Sequence, residues 1–123
     1  MKLDDIEQLS VEEVNTFFKD YGIEISDDFA EFYAEYNGGC GDVGDAYIEI
    51  WRLDELAELN ENYQVKRNID NIVIFGSDGG DMAFGYDYAR AQYLTVPFIG
   101  MGFLESPEYL GETYSEFFNA IEE

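Results

Sequence analysis

The sequence predicts an α+β fold: a single domain over residues 1–123, with a central antiparallel sheet flanked by helices. Three observations carry that expectation. Two segments before residue 40 repeat apolar residues at helical spacing. The run Ile72-Val73-Ile74-Phe75 is too short and too continuously apolar for an amphipathic helix. A Gly/Asp turn then separates it from a second strand-like segment, so the period changes from helical to extended within one chain.

The elements follow in order. Ser10-Val11-Glu12-Glu13 reads as a capping box, in which the Ser10 hydroxyl and the Glu13 carboxylate each satisfy a backbone N–H of the other. Val11, Val14, Phe17, Phe18 and Tyr21 continue it as a helix over about residues 11–21. A second helix starts after Ser26, with Asp27 and Asp28 at its positive end and a stripe of Phe29, Phe32, Tyr33 and Tyr36. Asn37-Gly38-Gly39 ends it, because these residues tolerate the left-handed cap. Gly38 to Asp45 is read as a loop, Ala46 to Trp51 as a strand, and Leu53, Leu56, Leu59 and Tyr63 as a third helix. Ile72–Phe75, the turn Ser77–Asp81 and Met82–Asp87 form a hairpin expected near the centre of the sheet. Gln92 to Phe98 is a further strand whose Pro97 belongs at an edge or bulge. Thr113-Tyr114-Ser115-Glu116 resembles a second capping box and opens a last helix that buries Phe117, Phe118 and Ile121.

Composition excludes much. No apolar run approaches the roughly 18 residues that span a bilayer, and the acidic start Met1-Lys2-Leu3-Asp4-Asp5 lacks a secretory leader's apolar stretch. Without histidine, Ser-His-Asp and Cys-His catalysis and His-ligated metal sites are impossible. Cys40 is alone, which suits a reducing cytoplasm. Gly39 to Gly44 matches G-x-G-x-x-G, but it follows a helix and carries Asp42, which would repel a pyrophosphate. A paired-carboxylate hydrolase would need one acid in an apolar pocket, and nothing singles out two of the 28 acids. Asp78, Asp81 and Asp87 lack the spacing of a calcium loop, and turns favour Asp for backbone reasons. No catalytic residue, metal or cofactor is expected.

The charge points elsewhere. Twenty-eight acids against six bases give −22, of which −15 falls in residues 1–62. Such a field repels nucleic acid and anionic lipid and draws in basic partners, although solubility alone is a competing use. Trp51 and the tyrosines Tyr47, Tyr86, Tyr88, Tyr93 and Tyr109 offer interface anchors, with core packing as the competing role for each.

Several stretches resemble one family. Phe29-x-x-Phe-Tyr-x-x-Tyr-Asn-Gly-Gly39 is similar to the helix and Asn-Gly-Gly cap of the SUKH superfamily, and Ile48-x-Ile-Trp-x-Leu-Asp-Glu-Leu56 to its strand and leucine-spaced helix. Ile72 to Asp87 resembles its strand–Gly/Asp turn–strand signature, and Thr113 to Phe118 its closing helix. Asp81 and Met82 depart from the family's usual glycine and acid, and Ile25-Ser26 from its Leu-Pro. The resemblance implies an α+β, non-enzymatic, cytoplasmic immunity protein of the toxin–antitoxin kind. It would bind a cognate polymorphic or contact-delivered toxin, often a nuclease, and inhibit it by occlusion. The alternative is a regulatory or scaffold protein of the same fold, as in the superfamily's fungal cell-wall regulators. A nuclease must present a basic surface to phosphates, so an acidic partner suits it. The candidate contacts are Asp42, Asp45, Glu49, Trp51, Asp78 and Asp81, with no nucleic acid and no membrane among the partners.

Overall fold

A computed structural model describes residues 3–62, 71–98 and 107–122. Helices α1 (Val11–Asp20) and α2 (Asp27–Tyr36) come first, followed by strands β1 (Cys40–Val43) and β2 (Ala46–Ile50). A 3₁₀ turn, Leu53–Glu55, leads into α3 (Leu56–Asn62). Strands β3 (Ile72–Ser77), β4 (Met82–Asp87), β5 (Gln92–Pro97) and β6 (Glu108–Gly111) follow, and α4 (Tyr114–Glu122) closes the chain. The six strands form one antiparallel sheet in sequence order, so the β3–β4 hairpin is central as expected.

The helix starts follow their sequence signals. Ser10 Oγ accepts the Glu13 N–H at 3.0 Å, and Glu13 Oε1 accepts the Ser10 N–H at 3.2 Å. At α4, Thr113 Oγ1 accepts from Glu116 N, but the Glu116 carboxylate returns to the Glu112 N–H and the Thr113 hydroxyl. After α2, Asn37 (φ −53°, ψ 116°) and Gly38 (φ +77°) form a type II turn that brings the Gly39 N–H to the Tyr36 carbonyl at 2.9 Å. Tyr63, expected in the third helix, lies outside the described residues.

One expectation fails. The segment read as a loop from Gly38 to Asp45 holds β1, which pairs from Cys40↔Glu49 to Val43↔Ala46 and is bridged on its outer side by Asp4. Gly41 and Asp42 are poor strand formers, but pairing to β2 on one side and to the N-terminal segment on the other outweighs that preference. A two-residue loop, Gly44–Asp45, turns β1 into β2.

The core lies between α2, α4 and one sheet face. Phe29 stacks on Tyr86 with ring centroids 4.0 Å apart, and Phe32 meets Phe75, Tyr93 and Phe117 edge-on. Removing such a ring costs about 3–5 kcal/mol. Ile72, Ile74, Ala83, Leu94 and Val96 form a smaller cluster on the opposite face. The strand β3 is therefore buried on both sides, which accounts for its unbroken apolar run.

Candidate functional site

Alternation along β2 decides what faces outward. Ile48 and Ile50 point into the core, whereas Tyr47 and Glu49 are exposed on the other face. Asp42 pairs with Tyr47 and Cys40 with Glu49, so these four side chains share one surface. Glu49 in turn pairs with Ser77, where the β3–β4 turn begins.

That turn is built by its own acid. Asp78 Oδ1 accepts the Gly80 N–H at 2.8 Å and the Met82 N–H at 3.3 Å, and the Ser77 hydroxyl accepts from Gly79. Gly79 adopts φ +83°, while Gly80 does not take a left-handed conformation. The Tyr47 ring lies against Gly79, and the residue as a whole is 39 % exposed, making it one of three large hydrophobic residues open to solvent among those described. Its phenol is raised above the ordinary value, first by partial desolvation, then by Cys40 and the carboxylates of Glu49 and Asp42. Tyr47 thus stays a neutral hydroxyl among anions.

Beside Tyr47 and Glu49 the surface dips into a cleft of about 470 Å³ that reaches Trp51, Arg52, Glu55 and Leu59. Trp51 packs on Phe98 (centroids 6.4 Å), and its carbonyl accepts the Tyr33 hydroxyl at 2.7 Å. Arg52 bridges Glu7 at 3.0 Å and Asp54 at 3.4 Å. Both pairs are well exposed and contribute little.

The structure thus brings Asp42, Glu49 and Trp51 to one face, with the Asp78 turn adjoining it. Asp45 sits in the β1–β2 loop near the end of α4, where a Cβ on Gly44 would strike Glu122. Asp81 closes the central turn, and its carbonyl accepts the Phe98 N–H at 2.9 Å. Tyr86 and Tyr93 are core residues, with Tyr93 donating to Asp28 at 2.7 Å. Sequence reasoning did not nominate Cys40, Arg52, Glu55 or Leu59, and it did not separate Tyr47 from the other tyrosines. Strict alternation of Tyr47, Glu49 and Trp51 with Ile48 and Ile50 is the signal that separates it.

Among the described residues, no three Cys, Asp or Glu groups converge as a metal cage. Asp87 is buried and fully engaged by Ala89, Arg90 and Tyr109.

Residues 8–120, nearly the whole chain, match the SMI1 / KNR4 family (SUKH-1). The chain belongs to this family. SUKH-1 membership agrees with the α+β architecture, and the SUKH proteins include immunity proteins. No curated protein matches the chain. No helix of this SUKH-1 chain is long and apolar enough to cross a membrane among the described residues.

Proposed function

We propose that this SUKH-1 chain is a cytoplasmic immunity protein, a single non-catalytic domain that neutralises a cognate toxin by covering it. One observation carries the reading: Tyr47, exposed over the Gly79 turn, is flanked by Asp42 and Glu49, neither of which has an ion-pair partner among the described residues. Net charge repels substrates that are themselves anionic, but attracts the basic surface a nuclease needs. Carboxylates laid over that surface exclude substrate by occupancy. Tyr47 and the neighbouring Trp51 supply the rigid rings that hold protein interfaces together at low entropic cost.

Asp42, Glu49 and Trp51 are the central contacts in this proposal, and Asp45, Asp78 and Asp81 its margin. Asp78 acts mainly by shaping the turn that supports Tyr47. Co-expression with a neighbouring gene that ends in a toxin domain tests the reading. Growth should be rescued by the native protein and lost with a Tyr47→Ala, Asp42→Lys, Glu49→Lys variant that folds normally. Rescue by that variant would contradict the proposed face. Failure of the native protein to rescue, or to bind the purified toxin, would contradict the immunity reading itself.

A further inference from the structure

A second concave surface lies on the other side of Arg52. Between α1 and the corner after β2 runs a groove of about 570 Å³, floored by Leu9, Phe17 and Leu53. All three pack on the main core, so the floor is both apolar and anchored. The walls carry five carboxylates against one guanidinium, that of Arg52. Glu7 and Asp54 hold Arg52, and Glu13 caps Ser10. Glu12 and Asp20 have no ion pair or side-chain hydrogen bond among the described residues. The positive end of α1 opposes this field with about half a unit charge, which a net of four negative charges outweighs.

Asn37 gives an independent indication of a ligand. It is 2 % exposed, and its side-chain Oδ1 accepts the Leu53 N–H at 2.6 Å. Its carbonyl accepts the Glu7 N–H at 2.9 Å. The amide nitrogen Nδ2 donates to nothing among the described residues. Every fully buried polar side-chain atom there has a partner, so Nδ2 is not wholly sealed from solvent, and Asn37 itself lines the groove. Whatever covers it has to bring an acceptor.

We propose that this groove binds an extended, basic peptide segment of a partner protein. A main-chain carbonyl of the segment accepts from Asn37 Nδ2, and an apolar side chain rests on Leu9, Phe17 and Leu53. Lys or Arg side chains on either side of it face Glu12 and Asp20. These two acids stand eight residues apart on α1, about 12 Å along its axis. That is the reach of roughly four residues of extended chain, whose alternate side chains share a face. The pattern that fits is basic-x-apolar-x-basic. The groove is separate from the Tyr47 face and does not require the partner to be a toxin.

The probe is the capped peptide Ser-Lys-Thr-Leu-Thr-Lys-Ser, titrated into the full chain to millimolar concentration and followed by amide NMR. The side-chain amide of Asn37 and the backbone amides of Leu53, Thr16 and Phe17 should shift together. A peptide with Glu in place of both Lys should leave them unmoved. The Glu12→Gln, Asp20→Asn double variant, changed only at exposed positions, should keep its fold and weaken binding about fivefold or more. Shifts confined to Asp42, Tyr47 and Glu49 would overturn the groove while leaving the proposed function standing. Equal affinity of the double variant, or no shift at all, would overturn it as well. Shifts at the same residues on concentrating the protein alone would assign the groove to a second copy, and would also overturn the proposal.

Discussion

The ring of Tyr47 lies so close over Gly79 that a Cβ there would stand 3.0 Å from Tyr47 Cδ2 and 3.2 Å from Cε2. One glycine therefore serves both the central turn and the exposed face. Its φ of +83° costs any other residue about 1–2 kcal/mol. Gly79→Ala should lower Tm by several degrees and shift the Tyr47 ring resonances. Tyr47→Ala should leave Tm nearly unchanged, because Tyr47 is an exposed residue outside the core. Thermal melts of the two variants check the difference.

Asn60 provides the edge that β3 lacks near Ile74. Its Oδ1 accepts the Ile74 N–H at 2.8 Å, and its Nδ2 donates to the carbonyls of Ile74 and Leu56, each at 2.8 Å. The amide mimics a neighbouring strand and ties α3 to the sheet. Asn60→Leu fills similar volume but leaves the Ile74 N–H and C=O buried and unpaired, each costing about 1–3 kcal/mol. Denaturant unfolding should show a loss of about 2–4 kcal/mol, among the largest for any substitution outside the aromatic core.

Asp87 makes stability depend on acid. Burial alone would raise its carboxyl pKa, but hydrogen bonds from Tyr109, Arg90 and the Ala89 and Arg90 backbone outweigh burial and hold it below the ordinary value. A depressed pKa in the folded state means the ionised form contributes stability above the unfolded value of about 3.9. That contribution disappears as pH falls through the lower folded value. Asp87→Asn should therefore be less stable than the native protein at neutral pH. The gap should hold steady down to about pH 5 and narrow below about pH 4. Urea midpoints across that range would measure it.

Much of the architecture is legible in the sequence because its signals are local. Ser10 with Glu13, Asn37-Gly38-Gly39 and the Asp78-Gly79 turn each fix an element boundary through a few neighbouring atoms. The run Ile72–Phe75 announces a strand covered on both faces. Pro97 stands at the last position of β5, opposite Met82, and the following Phe98 N–H donates to the Asp81 carbonyl on the β4 side. Strands β1 and β6 are harder. Cys40-Gly41-Asp42-Val43 and Glu108-Tyr109-Leu110-Gly111 are short and carry glycine and acid, and they are strands because β2 and β5 offer them open edges. The exposed face was half legible. Acids in loops drew Asp42 and Asp45, but which tyrosine reaches solvent depends on pleat direction and on the Gly79 contact. The unpartnered Nδ2 of Asn37 has no sequence signal, since Leu53 and Glu7, which hold its Oδ1 and its carbonyl, are distant in the chain.

The central claim is that an acidic face around Tyr47 steers and holds a basic toxin, and association kinetics test it most directly. Stopped-flow rates with the cognate toxin would be measured across a salt series for the native protein and for Asp42→Lys, Glu49→Lys. Opposite potentials speed encounter until salt shortens the Debye length to about 8 Å near physiological strength. The native association rate should fall steeply with salt, and dissociation should change less, because Tyr47 and Trp51 act at short range. The double reversal should slow association at low salt, whereas reversing Glu31 and Glu35 on the exposed side of α2 should do much less. An association rate indifferent to salt and to Asp42 and Glu49 would contradict the account.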